Sequence, residues 1–384
     1  MKIVIASDSF KGSLTSLEVA QAATRGILSV YPDCEVISVN VADGGEGTVE
    51  AIVEALGGEI ITTTVSDPLG RPIQARYGIA GNKAIIEMAA ASGLPLLHPD
   101  ERNPWLTSTY GTGEMINDAL HRGCRQFLIG IGGSATNDAG TGMLQALGFR
   151  FYDANNNEIS DCRGGRLHDI AYIDDSAIPE ALRQSQFTIA CDVDTPFCGP
   201  EGAALVFAPQ KGADPEMVNR LDIGMATFAK VIEDKYHINI VPMAGAGAAG
   251  GMGGGFRAFL NATLKRGIDM VLDAIDFNAT IQGANLIITG EGKIDFQTAK
   301  GKTAAGVLAR AKAQHIPVIA IGGCVEMCDS LQHMGFAAIY PILEEKVPLE
   351  VAMRPDFAAA NVEKTVKKIC VCHNFSVPLQ AQTK

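Results

Sequence analysis

The chain has 384 residues, 47% apolar and 19% charged, and a net charge of −12 from 43 acidic against 31 basic side chains. That length exceeds the roughly 250–300 residues at which single cores stop growing, so two domains are expected. An acidic surface repels a phosphate backbone and argues against nucleic acid as a partner, and no stretch approaches the ~20 apolar residues of a membrane span.

Ile3 to Ala6 is a short apolar, β-branched run that reads as a buried strand ending in Asp8-Ser9. Thr15-x-x-Glu18 is a capping-box pattern, and Val19, Ala23, Gly26, Ile27 and Val30 then fall on one helical face until Pro32. Val36 to Val41 is the next strand, followed by the loop ADGGEGT and a helix from about Val49 to Leu56. This β-α-β-α rhythm marks a parallel sheet covered by helices.

The middle of the chain has a different period. Ile60 to Val65, Ile73 to Ile79 and Ala84 to Met88 are short strands separated by Asp67-Pro68, Gly70-Arg71 and Gly81-Asn82, signals of an antiparallel meander. A helix near Glu114 to His121, the strand Phe127 to Gly130, a helix near Met143 to Leu147 and the strand Phe187 to Cys191 follow. The first rhythm returns with a strand at Leu286 to Thr289, a helix at Ala304 to Ala313, and strands at Val318 to Ile321 and Ala337 to Ile342. The expected fold class is α/β in two domains. A parallel Rossmann/flavodoxin-like domain is built from residues 1–60 and 280–384, and a mixed α/β domain, 61–279, is inserted in it. Loop-closure cost rises slowly with length, so an insertion in a surface loop is tolerated.

The nine cysteines are odd in number and scattered, and the opening MKIVIASDSF carries no apolar leader region. Reduced thiols in a cytoplasmic protein are expected. Neither Cys324-x-x-x-Cys328 nor Cys370-x-Cys372-His373 has a second ligand pair at zinc-finger spacing, so both read as ordinary thiols. The seven histidines are dispersed, no G-x-S-x-G elbow is present, and the single Trp105 offers no stacking platform.

Chemistry is concentrated in glycine-rich loops at strand ends: DSFKGS, ADGGEGT, GIGGSATNDAGTG, CDVDTPFCGPEGAA, GAGAAGGMGGG and GEGKID. Glycine lets backbone amides approach an anion, and strand carboxyl ends form the ligand crevice of such sheets. Six loops of this kind, with Asp, Ser, Thr and Lys among the glycines, point to a polyanionic ligand. Gly245-x-Gly247-x-x-Gly250 matches the dinucleotide fingerprint, but three more glycines follow at 253–255 and delay the helix that should begin there. Gly301-Lys302-Thr303 ends like a P-loop, yet Phe296 stands where its first glycine should be. A nucleotide would be held some other way.

DSFKGSLTS, VADGGEGTVEA, IEMAAASGL, IGIGGSATNDAGTGMLQALG, ACDVDTPFCG, FAPQKGA, GAGAAGGMGGG and ITGEGKID resemble the bacterial glycerate kinases, type 1 family, in family order from residue 1 to about 325. Ser7, Lys293 and Asp194-Thr195 depart from the family's usual proline, arginine and Thr-Asn. The resemblance implies transfer of the ATP γ-phosphoryl group to D-glycerate, giving 2-phosphoglycerate, with Mg²⁺ as cofactor. Such transfer needs alignment, cations to offset phosphate charge, and a carboxylate to take the hydroxyl proton.

On this reading Asp8 and Lys11, at the end of the first strand, orient Mg²⁺ or the substrate and neutralise phosphate. Asp192 is the expected general base. It and Asp194 straddle Val193, so only one would reach the cleft if the strand continued. Gly132, Gly133, Ser134, Thr136, Asn137 and Asp138 are expected to bind the substrate. Gly245, Gly247, Gly250, Gly251 and Gly253, with Glu291 and Lys293, are expected on the nucleotide, and Asp43, Glu46 and Asp295 on the metal. Each has a plainer alternative in an Asx turn, a helix cap or a solvated lysine. D-glycerate and ATP are the expected partners, and a homo-oligomer is compatible. The competing readings are a nicotinamide-dependent dehydrogenase of a small hydroxy acid and a non-catalytic nucleotide-binding protein.

Overall fold

The computed structural model describes residues 1–45, 47–299, 301–343, 345 and 347–373. The chain divides into two compact units. One is Met1–Asp43 with the segment from Val271 onward; the other is Gly44–Met270.

In the first unit, Ile3, Val4, Ile5 and Ala6 are fully buried, as are Leu286, Ile287 and Ile288. Apolar runs of this kind need both faces covered, which is the environment of a parallel strand between helices. The sheet has the order Ala338–Pro341, Val318–Val325, Leu286–Ile294, Lys2–Ser7, Glu35–Asn40, and every neighbouring pair is parallel. Numbered within the unit, that is the flavodoxin-like order 2-1-3-4-5, in which the winding reverses between the first and third strands. Here the reversal lies between Lys2–Ser7 and Leu286–Ile294. The capping box of Thr15 and Glu18 forms as expected and starts the helix Ser16–Leu28. Val19, Ala23 and Ile27 of that helix pack with Val362, Val366 and Ile369 of the helix Pro355–Cys372.

The second unit is built on a six-stranded mixed sheet, ordered Thr263–Lys265, Gln186–Ala190, Gln126–Gly130, Lys83–Glu87, Pro72–Ala80, Glu59–Ser66. The last three strands form the expected meander, and the first four are mutually parallel. Phe127 and Phe187 stack at 4.7 Å on adjacent strands within its core.

The joints fall at 43/44 and 270/271, away from positions 60 and 280. The helix Thr48–Leu56 therefore belongs to the second unit, where it packs against Pro72–Ala80 and Lys83–Glu87. The reason is Gly78: a Cβ there would lie 2.2 Å from Val53 Cγ2 and 3.2 Å from Val49 Cγ1. The bare backbone is the seat for the helix's two valines. Among the described residues no helix is long and apolar enough to cross a membrane.

Gly78→Ala is expected to destabilise the protein by about 1–3 kcal/mol through overpacking. Urea unfolding of the variant measures it, and an unchanged midpoint would contradict this account of the helix seat.

Candidate active site

The strands Lys2–Ser7 and Leu286–Ile294 run side by side until Ser7 meets Gly290. Just beyond, Asp8 and Glu291 turn toward the first turn of the helix Thr303–Ala313. Thr303 Oγ1 donates to Asp8 Oδ2 at 2.9 Å, and the Ala304 amide donates to Glu291 Oε1 at 3.1 Å. The Ser9 amide donates to Asp8 Oδ1 at 2.7 Å. A helix start has amides without internal partners and a positive dipole end, so it is a natural receptor for carboxylates.

Both carboxylates are almost wholly buried, Asp8 at 7% and Glu291 at 6% exposure. Burial pushes Asp8 above the usual aspartate range and the nearby Asp43 charge adds to it; Thr303, Ser9 and Lys11 pull the other way. Burial likewise lifts Glu291 to about 7 against the Ala304 amide, with the charges of Asp8 and Asp43 adding and that of Lys302 opposing. Protein carboxyls in a cleft with such shifts are candidate functional groups.

They line a cavity of about 810 Å³ with Lys11, Asp43, Lys293 and Lys302. Lys11 Nζ stands 4.0 Å from Asp43 Oδ2. Lys293 is ion-paired with Asp295 at 3.3 Å and Glu326 at 3.0 Å. Asp8, Lys11, Asp43, Glu291 and Lys293 are thus brought together. Asp295 is not part of that lining: its Oδ1 accepts from the Gln297 amide at 2.8 Å and its own amide donates to Thr298 Oγ1, a turn cap in place of the expected metal contact. Glu46 lies outside the described residues. Among the described residues, no three His, Cys, Asp or Glu side chains converge as a metal cluster.

In the second unit, the loop after Gln126–Gly130 leaves Gly132 and Gly133 exposed but buries Ser134, Thr136, Asn137 and Asp138. Asp138 differs from expectation. Its Oδ2 accepts from the Thr109 amide and hydroxyl, each at 2.8 Å, and from the Gly142 amide at 3.2 Å; its Oδ1 accepts from the Gly140 amide at 3.2 Å. Those bonds close the loop from within, so Asp138 acts on a ligand only by shaping the loop. Asn137 likewise turns inward, donating to Met225 Sδ.

Lys211 was not singled out by sequence. It is 1% exposed, and its Nζ donates to Ser134 Oγ at 2.7 Å and to the Thr136 carbonyl at 2.6 Å. Burial lowers it to about 7, with the Asp138 charge opposing. A lysine in FAPQKGA reads as a surface residue, and only its place in that block hinted otherwise.

Asp192 meets a different geometry from the one its spacing assumed. The strand Gln186–Ala190 has already ended, so strand alternation does not separate it from Asp194, and both are exposed. Asp192 Oδ1 accepts from the Gly267 amide at 2.9 Å at the carboxyl tips of the second unit's parallel strands. The glycine run also departs from its expected part. Ala249, Gly250 and Gly251 have left-handed backbone inside Ala248–Leu260, so the regular helix is indeed delayed. Gly245, Gly247, Gly250, Gly251 and Gly253 are nevertheless buried. A Cβ would stand 2.1 Å from the Pro196 carbonyl at Gly247, and 2.2 Å from that of Thr136 at Gly250. These glycines allow backbone to pack on backbone, which leaves the dinucleotide fingerprint without an open loop.

Residues 3–374 match the glycerate kinase family. The chain is 48% identical over 372 residues to the glycerate kinase of Bacillus subtilis (strain 168), covering 96% of this chain and 97% of that one. The chain belongs to the glycerate kinase family. A glycerate 2-kinase of Escherichia coli (strain K12) is 46% identical over 357 residues, covering 92% of this chain and 93% of its own. The crystal structure of a proposed glycerate kinase 2 from Salmonella typhimurium LT2 superposes with a TM-score of 0.88 at 45% identity, over 97% of this chain and 98% of the other. This member of the glycerate kinase family is thus a kinase of mixed α/β fold with parallel sheets.

Its raised Glu291 carboxyl makes stability depend on pH. The group's contribution is complete below its unfolded value near 4.5 and is lost as pH rises through about 7. Glu291→Gln, which cannot ionise, should match the wild type near pH 4.5 and be more stable at pH 8, by up to about 3 kcal/mol. Urea midpoints with EDTA present, taken across that range, test this; parallel pH curves would contradict it.

Proposed function

We propose that the chain transfers the ATP γ-phosphoryl group to D-glycerate, releasing ADP and 2-phosphoglycerate. One observation carries the reading: in a glycerate kinase family chain, cations and carboxylates line a single cavity where the flavodoxin-like winding reverses. Ligands of open α/β sheets bind at that place.

Lys11 and Lys302 are the cations proposed to offset phosphate charge, with Lys293 behind them in its ion pairs. The Asp43 charge raises the proton affinity of Asp8 and of Glu291, and the Asp8 charge adds to it at Glu291. A like-charge group of this kind fits a divalent ion held by one or two carboxylates and by substrate phosphates, the usual habit of Mg²⁺. When bound, Mg²⁺ would supply positive charge against the phosphate oxygens. Asp8 and Asp43 are the proposed ligands. Gly132, Gly133 and Ser134 are the proposed contacts for the glycerate carboxylate, on a loop that Lys211 and Asp138 hold from behind.

Asp192 remains the proposed proton acceptor, since its carboxylate is exposed at the carboxyl tips of the second unit's strands, and a general base must come within reach of the hydroxyl proton. The nine cysteines are all free thiols, which supports a cytoplasmic setting for the reaction.

A ³¹P spectrum after incubation with ATP, Mg²⁺ and D-glycerate should show ADP and one phosphomonoester identical to authentic 2-phosphoglycerate, and EDTA should abolish both. A 3-phosphoglycerate resonance would overturn the regiochemistry, and no phosphoester would overturn the function. Asp192→Asn is expected to keep its affinity for ADP while turnover falls about 100-fold or more. Normal turnover in that variant, with loss in Glu291→Gln, would transfer the proton to Glu291.

A further inference from the structure

The cavity of the first unit has two chemically different ends. Its charged end is Asp8, Lys11, Asp43, Glu291, Lys293 and Lys302; the other wall is Pro341, Ile342, Leu343, Val347, Leu349 and Met353, mostly apolar, with Glu345 among them. The residues of this second wall come from the carboxyl end of the strand Ala338–Pro341 and from the short helix Leu349–Ala352 and its neighbours. Leu349 is 74% exposed, a large apolar side chain held in water. Isolated exposed leucines are ordinary; one at the rim of a mostly apolar wall extends the surface a ligand can cover. Met353 also reaches the loop bearing Lys11, since its Cε lies 2.8 Å from where a Cβ on Gly12 would stand. The apolar wall and the cationic loop are therefore continuous.

We propose that this wall is the nucleoside-binding subsite of the enzyme: the adenine of ATP lies against Pro341, Ile342, Leu343, Val347, Leu349 and Met353, and the triphosphate extends toward Lys11 and Lys302. The assignment rests on the kinase reading above and adds where the nucleotide sits. A three-carbon hydroxy acid has no apolar face to match such a wall, whereas a purine has two. A volume of about 810 Å³ is in the range of sites for drug-sized ligands, about 300–1,000 Å³, and far exceeds what a three-carbon acid fills. Apolar lining with a few converging polar groups is the usual composition of a cofactor site. The charged end supplies the converging groups, and the distance from wall to cations is bridged by the loop that contains Gly12 and Met353's contact with it.

The experiment is photolabelling of the full-length protein with an azidoadenine analogue of ATP in the presence of Mg²⁺, followed by peptide mapping, beside steady-state kinetics of Leu349→Asp and Val347→Asp. Label is expected on the segment Pro341–Met353, and both variants should raise the KM for ATP about tenfold or more while the KM for D-glycerate changes less than twofold. Circular dichroism and melting checks that the variants fold; should either fail to fold, the labelling of the wild type decides. Label confined to another segment, in protein that turns over ATP and D-glycerate, would overturn the subsite and leave the kinase reading intact. A rise in the KM for D-glycerate alone would likewise overturn it. Absence of both labelling and turnover would overturn the subsite together with the reading it rests on.

Discussion

The first turn of the helix Thr303–Ala313 is the feature on which the first unit's chemistry depends. It receives two carboxylates, Asp8 through the Thr303 hydroxyl and Glu291 through the Ala304 amide. Without those donors, two nearby acids of low exposure would either leave the interior or take up protons. With them, both are kept at the edge of a cavity, their proton affinities raised by burial and by the charge of Asp43, with Asp8 adding at Glu291. A cluster in that condition favours cations. The proposed binding of a triphosphate and a metal without a P-loop would rest on that property.

The second unit solves a related problem by other means. Asp138 gathers donors from Thr109, Gly140 and Gly142, and Lys211 reaches the same loop through Ser134 and the Thr136 carbonyl. A buried acid with four donors and a buried ammonium with two acceptors make the loop rigid from behind. Its exposed face, Gly132 and Gly133, then presents backbone and little else. Preorganised amides cost no rearrangement when an anion arrives, which is the advantage the proposed glycerate contact would take from this rigidity.

Several elements were legible in one dimension because their physics is local. The capping box of Thr15 and Glu18, the apolar run Ile3 to Ala6, and the meander punctuated by Asp67-Pro68 and Gly81-Asn82 each depend on neighbours within a few residues. The delayed helix after Gly245 belongs to the same class, since runs of glycine resist helix formation through backbone entropy. Asp8, Lys11, Asp43, Glu291 and Lys293 were legible as a group because strand tips in a parallel sheet converge. Thr303 and Lys302, dismissed with the failed P-loop pattern, were legible only as part of a motif that is not there.

By itself, then, the sequence determined the α/β class, the family resemblance and which strand tips carry charge, since periodicity, capping and loop composition are properties of adjacent residues. Tertiary structure alone decided which sheet the helix Thr48–Leu56 covers, because that depends on the missing side chain of Gly78. It also decided that Asp138 faces inward, that Lys211 is buried, and that the glycines from 245 to 253 serve packing. Whether a polar group meets a ligand or the protein's own backbone is settled by partners distant in the chain, and no local pattern records them.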